Sequence, residues 1–539
     1  MTCLGDGWEE TLLLQSSPPE TSSKKLASCV PFMRSYAADL VNALKNDMAE
    51  LLNQALTFPQ QIHAKQLGVA VFFHSTASIR DYQDWFVDGF FTLFRQELNA
   101  WKDHDRYHFF SNPDMTRPIS GAEEGLFSFL ALNFVTGGGR LNPDVPPPGG
   151  KDASQQLASV IEVGGASSQI VSPVPSYPLQ PPFIKQFSLA QETGLTQWPR
   201  LDVISVSFLQ LGVASAGGLL LKNTCANPEF LSDGICSNPC YPQGFEQAQC
   251  SSGRASISRE TGRVTVNDNP RESRLNTSAM FCSRYNSAIS FKPLNEMSCR
   301  AYGLDPDLPL KERVAFPKCR MIVGTGDFQK CRAEVERVLL APKLPIPGNM
   351  EASGVGFDNV EQLFRLVSSS SPVHFIGDAL VNALNDLHDF GYFGTTPILN
   401  EKGEVQNNGA TYQALRQAAE DYCKSSVDFI DGQGLVLRTP KDKNNNEKRR
   451  LDGFNITTCQ DIALLYGFLT HMQSAEMKPE KFIFKTKFHD EKNPQHINNG
   501  MEYGWHLGAI LYRVLKKDSW SKIAYESGVG FNLPAARRL

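Results

Sequence analysis

The strongest constraint on the fold lies in residues 160–171, VIEVGGASSQIV. Two β-branched, strand-like runs meet there at five small residues, Gly164 to Ser168, which is the pattern of a β-hairpin. An acidic residue, Glu162, interrupts the first apolar run. An ordinary turn accounts for the small residues but not for a charge within a strand. The alternative is a hairpin whose tip lets a phosphate approach the backbone amides, and whose acid faces a cation.

The order of strands, loops and helices along the chain predicts an α/β protein. GVAVFF (68–73) is typical of a buried strand, and a small polar loop, HSTAS (74–78), separates it from a helical stretch. A second helix is predicted to open at SGAEEG (120–125). Residues 503–520 predict an amphipathic helix whose apolar residues point largely toward the core; they are Trp505, Leu507, Ile510, Leu511, Val514 and Leu515.

Length and charge limit the classes of protein to which the chain can belong. The chain has 539 residues, 41% hydrophobic and 20% charged, with a net charge of −5, which is typical of a soluble protein of two or more domains. The densest basic cluster, residues 441–450, mixes asparagine and acids and predicts a solvated loop, so no nucleic-acid partner is expected. The uncharged run 203–221 is long enough to span a bilayer. Its glutamine, serines and glycines favour a buried strand followed by a helix, so no membrane span is predicted.

Twelve cysteines are unevenly distributed, and ten of them lie in the second half or close to it, most densely between residues 225 and 331. This even number predicts five disulfides in an oxidising compartment. A zinc site is the alternative, but Cys236 and Cys240 have no paired C-x2-C partner and no nearby histidine. The disulfide candidates are Cys225, Cys236, Cys240, Cys250, Cys282, Cys299, Cys319, Cys331, Cys423 and Cys459.

Two N-glycosylation sequons, at Asn276 and Asn455, agree with a secreted chain. The start of the chain does not agree with secretion. Its first fifteen residues, MTCLGDGWEETLLLQ, carry three acids and have neither a basic start nor a long apolar stretch, so no signal peptide is predicted in the chain as given.

Two acids begin the helix predicted at residue 120. Glu123 and Glu124 stand beside glycines, and the simpler interpretation is that they stabilise the helix N-terminus. The alternative is a carboxylate that takes a proton from an attacking water. On the hairpin, strand alternation lets Gln169 point where Ser167 points.

Four regions, taken in order, resemble the signature regions of the apyrase, or nucleoside triphosphate diphosphohydrolase, family. RPISGAEEGLFSFLALN (117–133) and IEVGGASSQIV (161–171) are similar to its third and fourth regions. VFFHSTASIRDYQDWF (71–86) is similar to the second, and GWHLGAIL (504–511) to the C-terminal segment. SVSFLQLGVASAGGLLLK and FLSDGICSNPC are most similar to the secreted nucleoside triphosphatases of coccidian parasites.

The resemblance implies a two-lobed actin/Hsp70-like (ribonuclease H-like) α/β fold with a disulfide-rich insertion in the second lobe. Residues 1–118, completed by 500–539, would form the first lobe. Residues 119–499 would form the second, with the disulfide-rich subdomain at 225–331. The implied location is extracellular or the lumen of a parasite vacuole. The sequence is compatible with a homo-oligomer but does not fix the oligomeric state.

The resemblance also implies hydrolysis of nucleoside triphosphates such as ATP, with Mg²⁺ or Ca²⁺ as cofactor. Glu124 would be the general base that activates water, while Ser167 and Gln169 position that water. Glu162 and Trp505 would contact the metal's water shell. The implied phosphate-binding residues are Thr76, Ala77, Gly164, Gly165, Ala166 and Ser167.

The sequence departs from the family pattern in several places. The first signature region, D-A-G-S-S-x-x-R, has no counterpart in residues 1–66, which removes one of two phosphate hairpins. Glu162 replaces the family's Asp, and Ser78 replaces a Gly. The simplest explanation of the missing hairpin and signal peptide together is a shortened start. The hypotheses are therefore an active hydrolase, an inactive member that binds nucleotide or a partner, and a cysteine-rich interaction protein unrelated to nucleotides.

Overall fold

The fold is described from a computed structural model. The structure describes residues 19–76, 84–100, 107, 109–136, 157–174, 185–190, 200–209, 211–232, 235–250, 255–257, 264–266, 319–340, 373–376, 380, 383–384, 387, 392, 411–426, 453–474, 482–484, 487–488, 501–502 and 505–515.

The chain divides into two compact units. The smaller unit comprises residues 1–124, 191–197 and 509–539, and the larger unit comprises 125–190 and 198–508. The predicted lobe boundaries stay a prediction.

Among its described residues, the smaller unit contains helices and two short parallel strand pairs. These elements in chain order are α1 (Pro19–Ala55), α2 (Phe58–Leu67), β1 (Val69–Ala70), β2 (Phe73–Ser75), α3 (Asp84–Ala100), β3 (Phe109–Phe110), β4 (Thr116–Pro118) and the start of α4 (Gly121–Thr136), followed by residues 509–515 of a C-terminal helix that begins in the larger unit. β1 pairs with β3, and β2 pairs with β4. Phe73 stacks on Phe94 of α3 with 4.4 Å between ring centroids, which places the apolar core of this unit between the strands and the helices.

The larger unit contains more of the described elements. They are β5 (Ser159–Val163), β6 (Ser167–Val174), β7 (Lys185–Ala190), β8 (Arg200–Leu209), α5 (Val213–Thr224), β9 (Leu231–Ser232), β10 (Ile235–Asn238), β11 (Glu246–Cys250), β12 (Ala255–Ile257), β13 (Val264–Val266), β14 (Cys319–Gly324), α6 (Phe328–Val335) with a π-helical continuation (Glu336–Leu340), β15 (Val373–Ile376), α7 (Thr411–Lys424), α8 (Gly453–Ser474), β16 (Phe482–Phe484), β17 (Lys487–Phe488), β18 (Met501–Glu502) and the start of α9 (Trp505–Leu515).

A six-stranded sheet in the order β16-β15-β5-β6-β8-β7 organises the larger unit. β16, β15 and β5 run parallel, and β6, β8 and β7 continue the sheet antiparallel. Because side chains alternate along a strand, the two faces of this sheet differ. Ile161, Ile170 and Val206 point to one face and belong to the main apolar core. Glu162, Gln169 and Ser207 form a row across three adjacent strands on the other face, which we call the polar face.

The uncharged run 203–221 folds as the sequence predicts. Its first part lies in β8 and its second part in α5, and both contribute to the apolar core. Among the helices that the structure describes, none combines the length and the apolar character needed to cross a membrane.

The predicted C-terminal helix forms where the structure describes it, but one of its apolar residues faces outward. α9 covers residues 505–515, the other residues of the predicted 503–520 helix lie outside the described residues, and Ile510 is 49% exposed. The prediction that Ile510 points to the core is therefore wrong. The helical spacing of apolar residues in the sequence predicts an apolar stripe on the helix. Which residues of that stripe become buried depends on the elements that pack against it.

Three of the predicted disulfides are present among the described residues. Cys225–Cys236 links the end of α5 to β10, Cys240–Cys331 links the end of β10 to α6, and Cys423–Cys459 links α7 to α8. Cys250 and Cys319 face each other in the antiparallel register of β11 and β14. Cys282 and Cys299 lie outside the described residues.

The Cys423–Cys459 bond gives a stability prediction. It closes a loop across 36 residues between two core helices, so the double variant Cys423→Ser/Cys459→Ser should lose about 4 kcal/mol of unfolding free energy through the larger entropy of its unfolded chain. Urea denaturation under non-reducing conditions measures the loss. The difference between variant and wild type should shrink when both are reduced, and equal stabilities under non-reducing conditions would contradict the prediction.

Candidate functional site

The predicted hairpin forms and places three of the candidate side chains on the polar face. β5 and β6 pair antiparallel with Glu162 opposite Gln169, and Gly164 to Ala166 form the tip. The amide of Gln169 donates to the Ser167 hydroxyl at 2.7 Å and to the Ser207 hydroxyl at 3.3 Å. The expectation that Gln169 and Ser167 point the same way is therefore confirmed. Both residues are buried, whereas Glu162 is partly exposed.

Helix α4 covers the polar face at close range. A methyl group added to Gly125 would lie 2.6 Å from the Ser205 hydroxyl, 2.7 Å from Val171 Cγ2 and 3.0 Å from Gln169 Cβ, so the helix backbone packs directly against the strands. One turn farther along α4, the hydroxyl of Ser128 donates a short hydrogen bond to Oε2 of Glu162. This contact places the charge of Glu162 beside a hydrogen-bond donor rather than in an apolar environment.

The back of the hairpin tip rests on the segment that starts α5. A methyl group on Gly212 would lie 2.3 Å from the Ala166 amide nitrogen and 2.4 Å from that of Ser167. Val213 donates its amide to the Gly164 carbonyl at 2.9 Å, and the Ser168 hydroxyl donates to the Leu211 carbonyl at 2.7 Å. These contacts fix the tip against a buried support.

The front of the tip is open. Among the described residues, no heavy atom lies within 4 Å of the position that a Cβ on Gly165 would occupy. Its backbone torsion φ is also outside the positive range that favours glycine. Neither strain nor crowding within the described part of the chain requires glycine there. A methyl-free surface does, however, allow a ligand to approach the backbone.

In the smaller unit, the start of α4 is held by an ion pair. Arg117 contacts both carboxylate oxygens of Glu123, at 2.6 and 2.9 Å, and the Ser120 amide donates to Glu123 at 2.9 Å. Burial alone would raise the pKa of Glu123, but the hydrogen bonds and the charge of Arg117, together with the Ser120 donors, lower that pKa to about 2. The simpler interpretation, an acid that stabilises the helix N-terminus, is therefore confirmed for Glu123.

Glu124 differs from its neighbour. Its side chain is 6% exposed, and it stands four residues before Ser128 on α4. Thr76 directly follows β2, and the parallel strand β4 leads into α4, with the Ile119 amide bonded to the Ser75 carbonyl at 3.0 Å. Thr76 and the start of α4 thus lie at the carboxyl ends of paired parallel strands, the edge where α/β proteins commonly bind ligands.

The remaining predicted residues are less informative. Ala77 lies outside the described residues, and so does Asn276. Trp505 is the first residue of α9 and stacks on the ring of the adjacent His506. Asn455 lies in the first turn of α8, where the sequon residue Thr457 donates to Asp461 at 3.2 Å.

Comparison with known proteins identifies the family. The model of the GDA1/CD39 (nucleoside phosphatase) family matches residues 8–526. This chain belongs to the GDA1/CD39 family. Nucleoside-triphosphatase 1 and nucleoside-triphosphatase 2 of Toxoplasma gondii are each 38% identical to it over 538 residues, which cover 99% of this chain and 81% of theirs. The crystal structure of nucleoside triphosphate hydrolases from Neospora caninum matches 97% of this chain and 84% of that one, with 36% identity and a TM-score of 0.67.

These matches confirm the α/β, actin/Hsp70-like fold class and the resemblance on which it was based. In this GDA1/CD39 chain, the polar face of the six-stranded sheet carries the most concentrated set of predicted site residues. Its donors are a carboxylate, hydroxyls and an amide, which are the oxygen ligands that hard cations such as Mg²⁺ and Ca²⁺ prefer. In the described part of the chain, no group of three or more His, Cys, Asp or Glu is placed to hold a metal ion. Mg²⁺ commonly needs only one or two protein carboxylates, because water and substrate phosphates complete its shell. Glu162 fits that arrangement.

Sequence reasoning missed three polar residues of this region. Ser128 lies inside a recognised motif, but its contact spans 34 residues. Ser207 lies on β8, and its contact with Gln169 can be predicted only when the register of β6 and β8 is known. Arg117 stands six residues before Glu123, a spacing that becomes a contact only because the chain turns between β4 and α4. The available signal for Ser207 was alternation in the SVSF segment.

The Arg117–Glu123 pair predicts a pH-dependent stability. A carboxylate whose pKa falls from 4.5 to about 2 on folding stabilises the protein above pH 4.5, and this contribution disappears as pH falls toward 2. Glu123→Gln should therefore lower the unfolding free energy at pH 7 by about 1–3 kcal/mol, and by progressively less at pH 4 and pH 3. Urea titrations at the three pH values measure the difference. Glu50→Gln, at an exposed position of α1, serves as the control and should change stability by less than about 0.5 kcal/mol. A Glu123→Gln deficit that does not depend on pH would contradict the assignment.

Proposed function

We propose that this chain hydrolyses nucleoside triphosphates, and diphosphates as a secondary substrate class, in a reaction that depends on a divalent cation. The observation that supports this most directly is the hairpin of β5 and β6, which combines an open glycine tip with a carboxylate, an amide and a hydroxyl on one face. The names of the Toxoplasma relatives and of the Neospora structure specify nucleoside triphosphates for those proteins. Their similarity to nearly the whole of this chain supports the same substrate class here.

The hairpin tip would bind phosphate through backbone amides. The Gly164 amide donates to the Ser167 carbonyl at 3.0 Å within the hairpin, so the amides of Gly165 and Ala166 are the better donors for a ligand. The Gly212 backbone packs against the back of the tip and holds these amides in place. In the smaller unit, Thr76 would supply a further phosphate contact from the end of β2.

Glu124 would be the general base. A buried carboxylate at a helix start can accept a proton from water while that water attacks the terminal phosphorus in line with the leaving oxygen. Ser167 and Gln169 would orient the water. Because the Gln169 amide donates to two hydroxyls, we expect it to meet water as an acceptor, through Oε1.

Glu162 would hold the waters of a Mg²⁺ or Ca²⁺ ion, and Trp505 would border the same water shell. When bound, such a cation neutralises charge that develops on the phosphate oxygens. The residues fit this role because Glu162 is partly exposed, lies two residues before the open tip and is held by a hydrogen bond from Ser128.

A second candidate is a family member that binds nucleotide or a partner without turnover. The observation in its favour is Glu162, which stands where the family pattern has Asp. The additional methylene group moves the carboxylate that would hold the cation's waters, and a cation displaced from the phosphate oxygens neutralises less of the charge that develops there. The two candidates differ in turnover, not in nucleotide binding.

Phosphate release from ATP with Mg²⁺ tests the proposal. The purified chain should release phosphate, and Glu124→Gln should lower kcat by at least about 100-fold because the attacking water loses its base. Glu123→Gln is the matched control, with the same change one position earlier. Assayed at neutral pH below its melting temperature, it should keep most of its turnover. If the wild type binds a non-hydrolysable ATP analogue but releases no phosphate, the second candidate holds. Equal activity of the wild type and Glu124→Gln would remove Glu124 from the mechanism.

Two glycine variants separate binding from support at the hairpin. Gly165→Ala should leave the melting temperature nearly unchanged, because its methyl group meets open space, yet it should weaken binding of a non-hydrolysable ATP analogue by about tenfold. Gly212→Ala should lower the melting temperature by several degrees, because its methyl group collides with the hairpin backbone. Thermal unfolding and calorimetric titration measure both effects. If Gly165→Ala binds the analogue like the wild type, the tip does not contact phosphate.

We also propose that the protein functions in an oxidising compartment, either outside the cell or in the lumen of a vacuole. Three disulfides within the larger unit support this, since such bonds are rare in reducing compartments. Mass spectrometry of the native protein under non-reducing conditions tests it. Free thiols at Cys225, Cys236, Cys423 and Cys459 would contradict it.

A further inference from the structure

We infer that Ser128 is a positioning residue that orients Glu162 toward the bound cation's waters. This inference rests on the proposed role of Glu162 and adds a residue that the signature motifs do not assign. The observation is the hydrogen bond from the Ser128 hydroxyl to Oε2 of Glu162, made from a fully buried position on α4.

The direction of this hydrogen bond is unusual for a serine within a helix. Helical Ser and Thr residues commonly donate back to a carbonyl three or four residues earlier. Thr470 does so in α8, where its hydroxyl lies 2.9 Å from the carbonyls of Tyr466 and Gly467. Ser128 instead donates across to a strand 34 residues away. Its hydroxyl therefore donates a hydrogen bond to the sheet rather than to the backbone of its own helix.

Close packing makes the contact geometrically secure. Gly125 and Ser128 are three residues apart and share one side of α4. Because Gly125 brings the helix backbone within contact of Ser205, Val171 and Gln169, the next turn lies directly over the polar face. At this separation the Ser128 hydroxyl reaches Glu162. The donor is thus held by the backbone of α4 and not by a flexible loop.

The chemistry of Glu162 explains why a fixed donor matters. The resemblance places Asp at this position, and Glu adds one methylene group and one rotatable bond. A longer side chain lets its carboxylate sample more orientations. This freedom must be restricted before the carboxylate can hold a cation's waters. A hydrogen bond on Oε2 restricts the rotation of the side chain and so fixes the orientation of the whole carboxylate. Hydrogen-bond partners of this kind commonly change metal affinity by about 10–100-fold.

Cation binding provides a test that does not depend on turnover. Mn²⁺ is titrated into the full chain in the presence of a non-hydrolysable ATP analogue and followed by calorimetry. Ser128→Ala should weaken Mn²⁺ binding by about 10–100-fold. Ser172→Ala is the matched control, because Ser172 is a buried serine on the opposite face of the same sheet, hydrogen-bonded to Ser159. It should bind Mn²⁺ like the wild type.

A double-mutant cycle with Glu162→Asp separates positioning from general stability. The shorter aspartate side chain of that variant no longer reaches the Ser128 hydroxyl in the same way, so Ser128→Ala should weaken Mn²⁺ binding much less in the Glu162→Asp background. Melting temperatures of all variants show whether each is folded. Ser128→Ala that is folded and binds Mn²⁺ like the wild type, or an effect of equal size in both backgrounds, overturns the inference and leaves the proposed function intact. A wild type that binds the nucleotide analogue but not Mn²⁺ overturns the proposed cation site as well.

Discussion

The close contact between α4 and the polar face of the six-stranded sheet underlies the rest of the proposed site. It is possible only because Gly125 has no side chain at the point where the helix meets Ser205, Val171 and Gln169. This contact buries Ser128 and Gln169 and brings the Ser128 hydroxyl to Glu162. A bulkier residue at position 125 would separate the helix from the strands and disperse these groups.

The opposite face of the sheet provides the stability that a polar interface cannot. Ile161, Ile170 and Val206 pack there with α5, α6 and α8 in a continuous apolar core, and the Cys423–Cys459 bond lies within it. Burial of polar side chains is costly unless they are hydrogen-bonded. The side-chain nitrogen of Gln169 meets that requirement through the Ser167 and Ser207 hydroxyls, so the chain can hold an amide in a fixed orientation near its open hairpin tip.

Adjacent acids on one helix take different roles because their surroundings differ. Glu123 is held by Arg117 and the Ser120 amide, and its pKa of about 2 keeps it ionised as a structural anion. Glu124 follows directly and is buried, and successive residues of a helix point about 100° apart, so the two carboxylates face different groups. In the same way, the glycines have different roles: Gly212 permits tight packing behind the hairpin, while Gly165 leaves its front open.

By itself, the sequence determined the local features of this protein. Strand-like runs around small residues specified the hairpin, the uncharged segment at 203–221 specified a strand and a helix, and the ordered motifs specified the family. Local patterns suffice there because side-chain alternation and turn chemistry act over a few residues. Only the tertiary structure decided that Ser128 serves Glu162, that Arg117 holds Glu123, that Ser207 supports Gln169 and that Ile510 faces outward. These outcomes depend on how closely separate elements pack, and that distance is a property of the assembled core rather than of any one segment.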